Sequence, residues 1–307
     1  MADFHDIIVV GAGTAGMTAA LYALRNGKSV LVLESESMGG QIAFSPKVEN
    51  FPSHKSVSGA ELADMMYDQI SELGAEIELE KALSITKNGE GNFTVKTEYG
   101  DHDGRAVIIA TGVRHRNIGV DGEEELIGKG VSYCATCDGP FYAGEEVALI
   151  GDGNTALQYA VMLSGYCKKV TVCTLFDRFF GEARLVKTLK SKENVEIVHN
   201  VSLQKFVTAD GKLSALAFKK TTDGADFVLP TRAVFICVGQ IPANEAFADL
   251  VKLDDKGFIV AEEDCKTGCD GVFAAGDCRT KKVRQLTTAA ADGATAAVNA
   301  CAYIDAL

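Results

Sequence analysis

The sequence has no apolar run near the ~20 residues needed to span a bilayer, so no membrane passage is expected. Nor does it have an excess of basic charge. Its 30 Lys and Arg stand against 42 Asp and Glu, a net charge of −12. That balance argues against nucleic acid as a partner, because phosphate binding needs clustered Lys and Arg. The opening "MADFHDIIVVGAG" enters a strand at once and offers no basic-then-apolar leader, so the expected compartment is the cytoplasm. There is no G-x-S-x-G elbow and no H-E-x-x-H pair, and the five histidines do not cluster. Hydrolase chemistry therefore has nothing to work with. His115 is expected at the surface. Low-complexity segments and long linkers are also absent.

What is present is length and alternation. A chain of 307 residues, 47% hydrophobic and 23% charged, has room for two domains with separate cores. Short apolar runs alternate with helical segments, the pattern of an α/β fold with largely parallel sheets. "DIIVV" (Asp6–Val10), the Ala-rich Thr14–Gly27 and "SVLVLE" (Ser29–Glu34) form one strand–helix–strand unit. Glu61–Ile77 reads as an amphipathic helix with Gly74 at its end, and Asn92–Glu98 and Arg105–Ala110 as strands. A second unit starts near Glu146 with "EVALI", "NTALQYAVMLSGY" and "KKVTVC". The chain closes on "GVFAAGD" and a long Ala-rich helix. The expected architecture is two Rossmann-like dinucleotide-binding domains, three-layered, with the second inserted into the first. Gly112–Asp121 and Gly239–Asn244 are the candidate crossings.

Each unit carries a glycine loop. In "GAGTAG" (Gly11, Ala12, Gly13, Thr14, Ala15, Gly16) Gly11 permits the tight turn. Gly13 lets the backbone approach a pyrophosphate, and Gly16 lets helix and strand pack. Glu34 follows Gly13 by 21 residues and is placed to accept ribose hydroxyls. "GDGNTA" (Gly151–Ala156) repeats the spacing, yet the same offset lands on Thr174, in "KKVTVCTLFDRFF". Thr174 cannot grip a ribose diol as a carboxylate does. No arginine pair stands by to clamp a 2′-phosphate, and Asp152 adds a negative charge inside the loop. The second site is expected to keep its fold without its ligand.

Nine cysteines in a cytoplasmic chain read as free thiols or a redox or metal pair. "CATCD" sets Cys134 and Cys137 as C-x-x-C with Asp138 next, which suits an exchangeable disulfide. Zinc would need Cys265 and Cys269 as a second pair. A nucleotide site beside a C-x-x-C makes better redox chemistry, so no metal is expected. Cys265 and Cys269 are expected as exposed loop thiols, and Cys167, Cys173 and Cys237 as small core residues.

Taken together, "GAGTAG", "GGQI", "VENFP", "VIIATG", "CATCDG", "GDGNTA", "VGQIPAN", "GVFAAGDC" and "RQLTTAAADG" resemble the low-molecular-weight thioredoxin reductases over nearly the whole chain. The resemblance implies a discontinuous FAD domain (1–114 and 245–307), a pyridine-nucleotide-type domain (115–244) carrying the C-x-x-C, and a homodimer. It implies FAD contacts from Gly11 to Gly16, Glu34, Gly40, Gln41, Asn50, Ala110, Thr111, Gly112, Asp277, Gln285 and Leu286. Asp277 would bond the ribitol chain, and Gln285 and Leu286 would begin a helix facing the flavin ring. Cys137 would lie nearest the flavin, Cys134 would attack the thioredoxin disulfide, and Asp138 would protonate the leaving thiolate.

One departure stands out. The family carries a His-Arg-Arg-x-x-x-Arg run for the 2′-phosphate of NADPH. Aligned through Asp177, this chain has Thr174, Leu175, Phe176 and Phe180 there. In this it resembles the ferredoxin-dependent flavin thioredoxin reductases. Lys168 to Lys192 holds seven basic residues against Asp177 and Glu182, a local charge suited to an acidic ferredoxin. Three alternatives stay open: an NADPH-dependent reductase with an atypical nucleotide site, a dithiol oxidase of the same fold, and a flavin-bearing redox sensor.

Overall fold

The computed structural model describes residues 4–45, 48–89 and 91–307. The chain divides into two compact units. One runs to Arg114 and resumes over Ile241–Leu307; the other is His115–Gln240.

In the first unit, Ile7, Ile8 and Val9 are fully buried. Such an uninterrupted apolar run belongs to a parallel strand covered on both faces. That strand, Phe4–Val10, pairs in parallel with Val30–Leu33 and with Asp101–Ile109. Glu76–Glu78 extends one side in parallel, and Val272–Ala274 joins Asp101–Ile109. Phe93–Thr97 and Ala82–Lys87 continue as antiparallel strands. The helices Thr14–Arg25 and Leu286–Asp305 pack at very short range. Their contact is made of small residues: a Cβ on Gly293 would stand 2.1 Å from the Ala15 carbonyl oxygen. A third helix spans Gly59–Glu72, where Ser58 Oγ accepts the Glu61 N–H at its start. The helix gives out at the expected Gly74, and the residues from there to Ile77 do not continue it. Gly74 turns left-handed at φ 88°, and Glu76 and Ile77 pair with Leu31 and Val32 as a strand.

The second unit is built on five parallel strands in the order Val195–Val198, Lys169–Cys173, Glu146–Ile150, Ala233–Ile236, Val131–Ser132. The helices Asn154–Leu163 and Ala183–Lys190 belong to the same unit. An antiparallel sheet of Val201–Ala209, Lys212–Lys220 and Asp226–Pro230 completes it.

Candidate functional site

The first glycine loop lies where the strand Phe4–Val10 gives way to the helix Thr14–Arg25. Gly11 has φ 107°, and a Cβ there would meet Ala110 O at 2.5 Å. Gly16 has no room either, since its Cβ would fall 1.8 Å from Gly11 O. Gly13 differs: a Cβ there finds nothing nearer than Gly39 O at 3.9 Å. Two glycines thus serve packing, and the third leaves open space over the backbone at the helix start. Gly39 N–H donates to Ala12 O at 2.9 Å, which brings Gly40 and Gln41 beside the loop. Glu34 is 7% exposed. One of its oxygens accepts the Ala12 N–H at 2.7 Å and the other the Glu36 N–H at 2.9 Å. The carboxylate is thereby held rigidly, with lone pairs left for a diol.

Opposite ends of the sequence complete this cradle. Ala110 N–H donates to Val10 O, and Gly112 is left-handed at φ 63°. Thr111 Oγ1 donates to Asn244 Oδ1 at 3.0 Å, while the fully buried Asn244 donates to Gly257 O and Cys278 O. Asn50 Nδ2 donates to Gln285 Oε1 at 3.2 Å, and Gln285 caps the helix that Leu286 begins. Asp277 has a buried oxygen, Oδ1, with no hydrogen-bond partner among the described residues. Burial pushes its carboxyl up to about 6. An ionisable group in that state is set for donors that a ligand would bring.

A network that sequence reading missed fixes the Asp277 turn. Asp292 takes a bidentate pair from the buried Arg279, at 2.8 and 2.9 Å, and a third bond from Lys281 at 2.8 Å. It also accepts the Gly276 N–H at 3.0 Å. The cations flanking "GDC" were the available signal; their partner lies thirteen residues on.

The second unit holds Cys134 and Cys137, joined as a disulfide. Cys134 caps the short helix Ala135–Asp138, and its sulfur accepts the Cys137 N–H at 3.2 Å. Asp138 accepts from Ser132 Oγ at 2.6 Å. Burial raises its carboxyl, against the pull of that hydrogen bond. Tyr133 donates to the buried Glu123 at 2.7 Å and stacks on His115. His115 is therefore half-buried rather than a surface residue, and burial lowers its basicity.

The second glycine loop keeps its shape, with Gly151 at φ 150° and open space over Gly153. Its ribose corner is turned inward. Thr174 is 1% exposed. Its hydroxyl donates to Phe176 O at 2.7 Å and lies 2.6 Å from His199 Nδ1. With the hydroxyl hydrogen committed, the ring nitrogen must be the donor. Phe180 N–H bonds Asp152 O at 2.8 Å, so the segment after the strand folds back on the glycine loop. Leu175, Phe176 and Phe180 present apolar surface, and Arg178 lies over the Phe180 ring.

The remaining thiols need one correction. Cys265 is fully buried, not an exposed loop thiol. Its backbone is left-handed at φ 61°, which turns the side chain inward to Asp292 O. Cys269 is partly exposed, Cys167 and Cys173 are buried, and Cys237 lies half-buried at the rim of the core. No group of three metal-ligating side chains occurs among the described residues. No helix among them is long and apolar enough to cross a membrane.

A family model, pyridine nucleotide-disulphide oxidoreductase, matches residues 5–293. Thioredoxin reductase from Listeria monocytogenes is 38% identical over 303 residues, 99% of this chain and 95% of that protein. The crystal structure of thioredoxin reductase from Streptococcus pyogenes superposes with a TM-score of 0.94 at 34% identity, covering 99% of each chain. A ferredoxin-flavin thioredoxin reductase from Clostridium acetobutylicum gives 0.54 at 30% identity, covering 99% of this chain and 98% of that one. Proteins of this family bind FAD. The first cradle fits that cofactor: its glycine loop is open over Gly13, its acid is held at Glu34, and Asp277 has an acceptor to spare. The chain belongs to the pyridine nucleotide-disulphide oxidoreductase family, as a homologue of the low-molecular-weight thioredoxin reductases.

Proposed function

We propose that this protein reduces the disulfide of a thioredoxin through Cys134 and Cys137, with electrons from reduced ferredoxin rather than NADPH. The observation that carries the chemistry is the Cys134–Cys137 disulfide with the raised carboxyl of Asp138 beside it. In the dithiol state, the Cys137 N–H on Cys134 Sγ favours the Cys134 thiolate. That thiolate attacks one sulfur of the thioredoxin disulfide. A mixed disulfide forms, and the displaced thiolate takes its proton from Asp138. Cys137 then attacks Cys134 Sγ, which releases the second thioredoxin thiol and restores the Cys134–Cys137 disulfide. Two electrons leave the protein dithiol and two enter thioredoxin.

FAD supplies the two-electron store from which that disulfide is reduced again. We assign it to the unit that runs to Arg114 and resumes over Ile241–Leu307, on Gly11 to Gly16, Glu34, Gly40, Gln41, Asn50, Ala110 to Gly112, Asp277, Gln285 and Leu286. The unit His115–Gln240 holds the C-x-x-C. The inturned Thr174 and the apolar Leu175–Phe176 corner support ferredoxin as donor, because they offer an NADPH ribose phosphate neither charge nor hydrogen bonds. The Clostridium acetobutylicum relative is a ferredoxin-flavin enzyme. Each ferredoxin gives one electron, so two encounters supply the pair. Seven free thiols support a reducing, cytoplasmic compartment, and the family resemblance supports a homodimer. The NADPH-dependent reading has one observation in its favour, the open space kept over Gly153.

Replacing Cys134 with Ser tests the dithiol step. The variant should keep the visible flavin spectrum and lose thioredoxin reduction. Full activity in Cys134→Ser would sink the proposal.

A further inference from the structure

We infer that Ser132 is a positioning residue for proton delivery: its hydroxyl ties the Asp138 carboxyl to the backbone of Cys134, and so fixes the acid beside the exchanging sulfur. The inference rests on the reading of Asp138 as proton donor.

Ser132 ends the short strand Val131–Ser132, which pairs in parallel with Ala233–Ile236, Ser132 opposite Phe235. It is 4% exposed. A buried hydroxyl must find partners inside the protein, and this one spends its capacity on two groups. Its hydrogen goes to Asp138 Oδ2 at 2.6 Å. Its oxygen accepts the Cys134 N–H at 3.1 Å. Cys134 O lies at 3.4 Å, too far to compete for the single hydrogen. A separate bond closes the loop, since Asp138 N–H donates to Cys134 O at 3.0 Å. Cysteine backbone, hydroxyl and carboxylate thus form one ring of contacts anchored to a sheet strand.

The electrostatic consequence has a definite sign. Burial raises the Asp138 carboxyl, and the Ser132 hydrogen bond opposes it by favouring the ionised form. Tyr142, on the turn Gly139–Tyr142, also feels Asp138, and Arg232 acts on Tyr142 in the opposite sense. Cys134 and Cys137 carry no titrating thiol while they are bonded. Removing the hydroxyl leaves burial unopposed, so Asp138 holds its proton to higher pH. The transfer itself needs nothing from Ser132 but place: the proton passes from the Asp138 carboxyl to the departing thiolate, and Ser132 keeps its own hydrogen.

The test uses the FAD-loaded protein, reduced with dithionite and mixed with oxidised thioredoxin in a single turnover between pH 5 and 9. Ser132→Ala should move the alkaline limb of the rate profile to higher pH and lower the plateau about tenfold, a part of the roughly 10²–10⁴-fold that general-acid catalysis contributes. Ser132→Thr, which keeps the hydroxyl, should restore both. In an Asp138→Asn background, adding Ser132→Ala should change nothing further. A Ser132→Ala profile that matches the wild type, even with a lower melting temperature, overturns the inference while Asp138→Asn remains impaired. An equal rate loss from Ser132→Ala in the Asp138→Asn background overturns it too. An unimpaired Asp138→Asn overturns the proton-donor reading itself, and the role of Ser132 with it.

Discussion

Asp277 stands buried with Oδ1 unpartnered among the described residues, and its carboxyl is raised from 3.8 to about 6. Desolvation is the largest cause, partly offset by Lys281 and Arg284. At 1.36 kcal/mol per pH unit, that gap puts the cost of the ionised form near 3 kcal/mol in the apoprotein. The sign follows from linkage. Below pH 3.8 the acid is protonated whether folded or unfolded, and costs nothing. As pH rises from 3.8 to about 6 the unfolded chain ionises first, so stability falls. Above about 6 the whole cost is present. Asp277→Asn should therefore stabilise the apoprotein at pH 7 by about 2–3 kcal/mol, less what the amide's own burial takes back. In a unit of this size that is roughly 5–10 °C in Tm. At pH 4 the gain should vanish. The same substitution removes a charged acceptor from the proposed FAD contact, and affinity should fall about 10- to 100-fold. Thermal unfolding of apoprotein at both pH values, with FAD titrated by fluorescence, reads both effects. A less stable Asp277→Asn apoprotein at pH 7 would contradict the burial cost, and unchanged FAD affinity would contradict the proposed contact.

The two glycines of the first loop should separate fold from binding. Gly16→Ala drives a Cβ to 1.8 Å from Gly11 O and should cost about 3 kcal/mol, seen as a large drop in Tm. Gly13→Ala meets nothing nearer than 3.9 Å; it should leave the apoprotein melt unchanged and weaken FAD retention. Iodoacetamide at pH 8 should label Cys269 first among the free thiols of the oxidised protein. Burial holds Cys173 and Cys265 up at about 12, whereas Cys269 is partly exposed beside Lys87. Mass spectrometry showing Cys265 labelled first would contradict that burial.

Both glycine loops and their strands were legible in the sequence because their causes are local: a φ only glycine tolerates, a short apolar run, a cap. The sheet of Val201–Ala209, Lys212–Lys220 and Asp226–Pro230 went unread. Its first strand is interrupted by register shifts, which break the alternation. A usable signal was present in Asp210–Gly211, both at positive φ in the hairpin turn. Cys265 looked exposed because "DCKTGC" reads as loop, and nothing in the letters shows a backbone turned inward. Ser132, Glu123 and Asp292 as the partner of Arg279 were hidden for another reason. Each acts through a partner that only the folded chain brings near. The site candidates were found by motif, and the groups that hold them in place were not.

Reduced ferredoxin is the proposed electron donor. The most direct measurement is anaerobic: the yellow protein is mixed separately with reduced ferredoxin, NADPH and NADH while its visible flavin band is followed. The account predicts rapid bleaching by ferredoxin alone, as the inturned Thr174 and the apolar corner around Phe176 require. Rapid bleaching by NADPH would contradict it, and would mean that the second glycine loop still binds its nucleotide by contacts other than an arginine clamp.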